Sequence, residues 1–203
     1  MNNRVVVTGI GVVGPVGLDR QTTWESLMAG RSGVAQITAF DTDGFATTIA
    51  GEVTGFNPED YVTRKQARRM DRFVQLGVAA TLEAVEHARV TIEAGTAERT
   101  SVMIASGIGG IITVADQVDV LNTRGPSRVS PFLVPMMMPD MASGQVSMLL
   151  GAKGPNYITV SACASAADAL GQAFQVIKRG ELDMVLAGGA EATVCPIGVA
   201  GFG

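Results

Sequence analysis

The sequence predicts an α/β fold in which a mostly parallel sheet carries helices on both faces. Short, nearly continuous apolar runs, typical of strands buried on both faces, alternate with segments of helical periodicity. Glycine accounts for 25 of 203 residues, well above the usual share of about 7%. Many of these glycines lie between the predicted strands and helices, as the many short turns of an α/β chain require.

The predicted elements alternate along the chain. The strands are short apolar runs, mostly valine-rich, and the helices repeat apolar residues at intervals of three and four. Strands are predicted over residues 4–9, 100–107, 157–162 and 183–190, and helices over residues 22–29, 70–88 and 165–180. The segment 129–150 is rich in methionine and proline, which predicts irregular packing in the core or at a subunit interface. The chain length favours one domain.

Composition excludes several classes of protein. The net charge is −4, with 15 Lys and Arg against 19 Asp and Glu, and no basic run is interleaved with aromatic residues, so nucleic-acid binding is not expected. No membrane span and no secretory leader are expected. Two cysteines far apart predict no disulfide framework, which indicates a reducing cytoplasm.

One glycine motif is compatible with a dinucleotide site. Gly9, Gly11 and Gly14 match the spacing G-x-G-x-x-G directly after the first predicted strand. In a dinucleotide site a long helix would follow, but Pro15 and Gly17 predict a turn instead. A tight structural turn is therefore the preferred interpretation, a dinucleotide-binding module remains an alternative, and neither a cofactor nor a metal is expected.

Cys163 lies where a strand is predicted to end and a helix to begin, in TVSACASAADAL (159–170). A helix N-terminus favours the thiolate, which is the reactive form of cysteine, and small flanking residues leave room for a substrate carbonyl. Position alone leaves two interpretations open, a nucleophile and an inert buried cysteine. One face of the predicted helix carries Cys163, Ala166, Ala167, Leu170, Ala173, Phe174 and Ile177, and the other carries Ser165, Asp168, Gln172, Gln175 and Arg179.

Six motifs, taken in order, resemble those of the β-ketoacyl-acyl carrier protein synthases, and within them the type II elongating enzymes of fatty acid synthesis. They are VVVTGIGVVGPVG (5–17), RKQARRMDRF (64–73), SGIGG (106–110), VSPFLVP (129–135), SACAS (161–165), and AGGAE (187–191) with the final GFG. The resemblance covers essentially the whole chain.

The resemblance implies the N-terminal half of a thiolase-like, layered αβαβα fold, with residues 1–203 as one domain and the C-terminal half absent. It implies that Cys163 takes an acyl group from acyl carrier protein as a thioester. The family's second half then helps to decarboxylate malonyl-carrier and supplies two histidines, a lysine and a second oxyanion donor. We therefore expect an acyltransferase that works as a homodimer, although this chain alone is not expected to complete the condensation.

The resemblance also assigns binding residues. Ile108, Phe132 and Leu133 correspond to positions lining the acyl pocket, although ordinary core packing is an alternative for them. Lys65, Arg68 and Arg69 share one predicted helical face; a solvated surface is the ordinary interpretation, and docking of the acidic carrier protein is the preferred one.

The two remaining candidate residues are expected to be structural. His87 is predicted near the end of a helix, where a cation is favoured. Cys195 has no predicted helix start or charged neighbour to activate it. A non-catalytic partner of the chain-length-factor type remains an alternative function, although such partners typically lack the cysteine. Half of a layered fold would expose apolar surface, so poor solubility or obligate association is expected.

Overall fold

The computed structural model describes residues 3–203, and its central sheet is a pair of parallel strands. The strands are β1 (Val34–Gln36), β2 (Ile49–Gly51), β3 (Thr100–Ala105) and β4 (Met184–Gly189). The helices are α1 (Arg20–Met28), α2 (Arg64–Ala67), α3 (Arg72–Ala88), α4 (Ile111–Arg124), α5 (Leu133–Met137), α6 (Met141–Leu150), α7 (Ser165–Lys178) and α8 (Pro196–Phe202). Strand β3 pairs with β4 from Thr100↔Met184 to Ala105↔Gly189, and β1 with β2 form a separate antiparallel hairpin.

Strand β3 is the centre of the core, and all of its residues are buried. Because side chains alternate across a strand, Val102 and Ile104 pack into one cluster with residues of α3 and α6. Met103 and Ala105 pack into a second cluster with residues of α7 on the opposite face. The prediction of an α/β chain with helices on both faces of a parallel sheet is confirmed.

An ion pair closes the amino-terminal end of this sheet. The Arg99 guanidinium donates to both carboxylate oxygens of Asp183, at 2.6 and 2.7 Å, and joins the residues that precede β3 and β4. These charge-assisted hydrogen bonds hold the pKa of Asp183 below its usual range. The site described below lies at the other, carboxyl-terminal end.

A buried aspartate joins the starts of helices α3 and α4. Asp71 is 2% exposed, and its side chain caps α3 by accepting from the Phe73 N–H at 3.3 Å. Its other oxygen accepts from the Thr113 N–H at 2.8 Å and the Thr113 hydroxyl at 2.6 Å. One carboxylate therefore holds the starts of α3 and α4 together.

Two predicted strands are wrong. Residues 4–9 form no strand, and Val6 and Val7 are 58% and 79% exposed. Residues 157–162 also form none; only Asn156 makes a parallel bridge, to Val102, before the chain leaves the sheet edge. An apolar run becomes a strand only where a neighbour supplies its ladder of hydrogen bonds, and residues 3–203 provide no such neighbour for either segment.

Four features lie outside the sequence prediction. These are the β1–β2 hairpin, helix α4, the two helices α5 and α6 within the methionine- and proline-rich segment, and helix α8. Helix α6 contributes Ala142 and Val146 to the core, whereas Met137, Met138 and Met148 are exposed. The predicted core packing of this segment is therefore confirmed for its α6 part only.

The glycine motif is used for close packing. A Cβ on Gly9 would overlap the Ala84 carbonyl oxygen, and a Cβ on Gly11 would overlap the Ala80 carbonyl oxygen, both in α3. Gly14 and Gly17 exchange backbone hydrogen bonds of 2.8 and 3.2 Å in the turn that follows. The predicted structural turn is confirmed, and no long helix follows it.

Candidate functional site

Cys163 lies at the carboxyl-terminal end of the sheet, where parallel α/β sheets usually bind their ligands. The predicted direct change from strand to helix is corrected: residues Ala162–Ala164 form a single 3-10 turn, and α7 begins only at Ser165. Strand β4 approaches this helix closely, since a Cβ on Gly189 would come within 2.6 Å of the Ala166 Cβ. The sheet thus sets the position of the turn that carries Cys163.

The turn has an unusual backbone that its neighbours hold in place. Ala162 has a φ of 51°, in the left-handed region that residues with a side chain seldom occupy. The Ser165 hydroxyl donates to the Ala162 carbonyl at 2.8 Å and accepts from the Ser161 N–H at 2.9 Å. Thr159 adds a hydroxyl bond to the Ser165 carbonyl at 3.0 Å. This network fixes the conformation in which Cys163 is presented.

The surroundings of the thiol suit a nucleophile. Cys163 is exposed, whereas Cys195 is 6% exposed and lies in the core. The expectation that Cys195 is away from any helix start is wrong, because Cys195 is the residue directly before α8. Cys163 lies two residues before Ser165, the first residue of the 14-residue helix α7, so it is beside the N-terminal end of that helix. Within residues 3–203 no hydrogen bond uses the Cys163 N–H as donor, which leaves that amide free for a substrate oxygen.

The buried face of α7 differs from the predicted stripe. The buried residues are Ser165, Ala169, Ala173 and Val176, so Ser165 lies on the inner face rather than the outer one. Leu170 and Phe174 are 54% and 43% exposed instead of packed. Alanine and other apolar residues occur all around this helix, so periodicity alone does not determine which line of residues meets the sheet.

The loop of residues 106–110 (SGIGG) lies against the cysteine turn. A Cβ on Gly107 would come within 3.2 Å of the Ala162 carbonyl oxygen. The Gly110 N–H donates to the Met137 carbonyl at 3.1 Å and ties the loop to the end of α5. Ile108, predicted to line an acyl pocket, is 40% exposed at the tip of this loop.

One residue of the site was missed by the sequence reasoning. The carboxylate of Glu191 accepts from the N–H groups of Gly107 and Ile108, at 2.8 and 3.2 Å, and from the Ser106 hydroxyl at 3.0 Å. The motif AGGAE contains this glutamate, but the contact joins residues 83 or more positions apart. Local sequence carries no signal for such a contact.

The predicted docking residues share one groove. The groove has a volume of about 510 Å³ and is lined by Arg64, Lys65, Arg68, Arg69 and Phe132; we call it the basic groove. Its four cationic residues are all exposed. The Arg69 guanidinium lies 4.4 Å from the centre of the Phe132 ring, a cation–π contact that brings a predicted docking residue against a predicted pocket residue.

The three residues predicted to line the acyl pocket, Ile108, Phe132 and Leu133, lie in different parts of the structure. Phe132 is 36% exposed, so its packing against the basic groove is not ordinary core packing. Leu133 is half-buried at the start of α5. Ile108 and Leu133 are connected through the bond between the 106–110 loop and α5 described above.

His87 is one residue from the end of α3, as predicted. Its Nδ1 accepts a hydrogen bond of 3.1 Å from the Ile10 N–H. The imidazole therefore fixes the N-terminal segment to α3. Among residues 3–203 no cluster of His, Cys, Asp and Glu has the arrangement of a metal site, and no helix is long and apolar enough to cross a membrane.

The sequence matches the family model described as β-ketoacyl synthase, N-terminal domain, over residues 2–203. Among curated proteins it is similar to 3-oxoacyl-[acyl-carrier-protein] synthase 2 of Staphylococcus aureus (strain COL), with 48% identity over 201 residues. These residues cover 99% of this chain and 49% of the relative. The chain thus spans about half the length of the curated relatives it matches.

Two solved structures share its fold. The ishigamide ketosynthase/chain length factor superposes with a TM-score of 0.91 and 30% identity, covering 100% of this chain and 50% of that chain. A type II polyketide ketosynthase, solved in complex with its acyl-carrier protein, superposes with a TM-score of 0.85 and covers 100% of this chain and 55% of that chain. At 23% identity, this second likeness concerns the fold alone.

Proposed function

Because the chain belongs to the β-ketoacyl synthase family, we propose that Cys163 is the acyl acceptor of a 3-oxoacyl-acyl carrier protein synthase of fatty acid elongation. The observation that carries this proposal is the exposed Cys163 thiol in a fixed turn at the start of α7. Its thiolate attacks the carbonyl carbon of an acyl-carrier thioester, and the oxyanion that forms accepts a hydrogen bond from the Cys163 N–H. The bond to the carrier sulfur then breaks, and the departing carrier thiolate takes up a proton.

The complete condensation needs groups beyond this chain. Decarboxylation of malonyl-carrier produces an enolate that must be stabilised, and the single histidine of these 203 residues, His87, is engaged in holding Ile10. We propose that residues 1–203 are the N-terminal domain of a synthase whose remaining half supplies that stabilisation. The exposed Leu170 and Phe174 on α7 support an additional layer of protein on this side of the helix.

Formation of the thioester tests the proposal directly. The chain is incubated with an acyl-carrier thioester, and its intact mass is measured. One added acyl group is expected on the wild-type chain and on Cys195→Ala, and none on Cys163→Ala. A folded wild-type chain that gains no acyl group, or a Cys163→Ala chain that still gains one, would refute Cys163 as the acceptor.

The partner is proposed to be acyl carrier protein, in its acyl and malonyl forms, docked at the basic groove. The four cations there complement an acidic partner and would accelerate encounter. A relative with 48% identity carries the name 3-oxoacyl-[acyl-carrier-protein] synthase 2, which supports this kind of partner. The Arg69–Phe132 contact would bring the docked carrier close to a residue predicted to line the acyl pocket.

Charge reversal tests the docking surface. Arg68→Glu with Arg69→Glu is expected to weaken carrier binding by about tenfold or more, with the loss greatest at low salt. The matched control, Arg124→Glu with Arg128→Glu, changes the net charge equally at exposed positions outside the groove and is expected to bind nearly as wild type. Equal binding by both double variants in a titration would contradict docking at this groove.

We also propose a homodimer in a reducing compartment such as the cytoplasm. Helix α4 exposes Val114, Val118 and Leu121, whose spacing of four and three forms one apolar stripe. The free Cys163 thiol fits a compartment in which thiols are kept reduced.

A non-catalytic chain-length-factor role is not favoured, because the curated relatives carry the name of the synthase itself. A dinucleotide-binding module is not favoured either, since Gly9 and Gly11 pack against α3.

A further inference from the structure

The carboxylate of Glu191 is the centre of a hydrogen-bonded clamp at the candidate site. One oxygen accepts from the N–H groups of Gly107 and Ile108, and the other accepts from the Ser106 hydroxyl. The Ser106 hydroxyl oxygen accepts in turn from the Gly109 N–H at 2.9 Å. Four donors of one short loop therefore depend, directly or through Ser106, on a single side chain.

The clamp holds the part of the loop that carries Ile108, whereas the bond from Gly110 to Met137 holds the end of the loop. Gly107, Gly109 and Gly110 are conformationally free in the unfolded chain, and Gly109 has a φ of 78°. Charge-assisted hydrogen bonds to backbone N–H groups are about twice as strong as neutral ones. Without the carboxylate, the amides of Gly107 and Ile108 lose the only partners that residues 3–203 give them.

The loop of residues 106–110 joins the turn that carries Cys163 to Ile108. On one side Gly107 contacts the carbonyl of Ala162, next to Cys163. At its tip the loop carries Ile108, which projects outward and is 40% exposed. The position of Ile108 relative to the thiol is thus determined by a loop that Glu191 holds.

We propose that Glu191 is a positioning residue that sets acyl-chain selectivity by fixing Ile108 in the loop that meets the turn of Cys163. This inference rests on the proposed acyl transfer to Cys163. A fixed apolar side chain in this loop admits some acyl chains and excludes others, whereas a mobile one discriminates less, because hydrophobic discrimination depends on a pocket of defined shape. Glu191 itself does not touch the acyl group.

The test compares acylation of Cys163 by acetyl and palmitoyl carrier thioesters in the 203-residue chain. In the Glu191→Ala chain, the ratio of the two acylation rates is expected to move about tenfold closer to one. A change of this size corresponds to the loss of roughly one or two methylene contacts. Alkylation of Cys163 by iodoacetamide, which needs no acyl pocket, is expected to change little. The control Glu86→Ala removes an exposed glutamate of α3 and is expected to leave the ratio unchanged.

A conservative variant and a double variant separate positioning from mere support of the fold. Glu191→Gln keeps one carbonyl oxygen to accept from Gly107 and Ile108, so it is expected to restore most of the wild-type ratio. In an Ile108→Ala background, adding Glu191→Ala is expected to have no further effect on the ratio, since the clamp acts through Ile108.

The outcomes distinguish this proposal from the proposed function. Acyl transfer with the wild-type ratio in a folded Glu191→Ala chain would overturn the positioning role alone. Additive effects of Glu191→Ala and Ile108→Ala would also overturn it. Absence of acyl transfer from the wild-type chain, with Cys163 still alkylated by iodoacetamide, would refute the proposed function and this inference with it.

Discussion

Ala162 holds the backbone conformation that presents Cys163. Its φ of 51° costs a residue with a Cβ about 1–2 kcal/mol relative to ordinary backbone, and the bonds from Ser165 to Ala162 and Ser161 offset that cost. Strained backbone that its surroundings maintain is a common property of functional sites. Here the strained residue directly precedes Cys163 and sets the position of its thiol.

Substitutions at Ala162 measure this strain. Ala162→Gly is expected to raise the free energy of unfolding by up to about 1 kcal/mol, because glycine adopts a positive φ without steric cost. Ala162→Val is expected to lower it by about 1–2 kcal/mol, because a branched Cβ increases the clash. Urea denaturation measures both, and a Val variant as stable as the Gly variant would show that the residue is unstrained.

The residues of the site differ in how far sequence predicts them. Cys163 is identified by its motif and by its place before a helix, and the structure adds the 3-10 turn and the left-handed Ala162. The grouping of Lys65, Arg68 and Arg69 follows from their spacing along the chain. Glu191 is not predictable in this way, because its role depends on contacts with residues far earlier in the sequence.

At the scale of elements, prediction succeeds where each segment has its partner within the chain. Strands β3 and β4 are apolar runs that pair with one another, and α3 shows a clear apolar stripe that includes Phe73, Val74 and Val78. The segments 4–9 and 157–162 are equally strand-like in sequence but have no strand partner in the described part of the chain, residues 3–203. Strand formation is a property of pairs, so single-segment patterns overpredict it.

The contact between the N-terminal segment and α3 gives the second stability prediction. Gly11→Ala is expected to lower the free energy of unfolding by about 1–3 kcal/mol, because the new Cβ would overlap the Ala80 carbonyl oxygen. Gly14→Ala is the matched control, since no atom lies within 4 Å of its added Cβ. Equal urea midpoints for the two variants would contradict the close-packing explanation of the glycine motif.

The whole molecule exposes apolar faces that a layered fold would cover. Leu170 and Phe174 lie on the outer side of α7, and Val6 and Val7 lie in segment 4–9, which has no strand partner among residues 3–203. The sheet with its two helical faces accounts for three layers, and the curated relatives are about twice as long as this chain. We expect the isolated chain to associate through these faces, as large exposed apolar patches usually do.

Polar substitution on α7 tests this expectation. Leu170→Glu with Phe174→Glu is expected to increase the monomer fraction in sedimentation velocity, because it removes apolar area from the outer face of α7. Ile49→Glu, at an exposed position in the β1–β2 hairpin, is the control and is expected to leave the monomer fraction unchanged. A wild-type chain that is already a stable monomer would contradict the account of an uncovered layer.

The central claim is that the fold, rather than simple exposure, makes Cys163 reactive. The most direct measurement compares the acylation rate of Cys163 by a small acyl thioester in the native chain and in the urea-unfolded chain, with peptide mapping to separate it from Cys195. The account predicts a faster rate for native Cys163 than for unfolded Cys163, because Cys163 is exposed beside the start of the 14-residue helix α7. It predicts a slower rate for native Cys195 than for unfolded Cys195, because Cys195, although it directly precedes α8, is buried in the core. A native Cys163 that reacts no faster than the same thiol in the unfolded chain would contradict it.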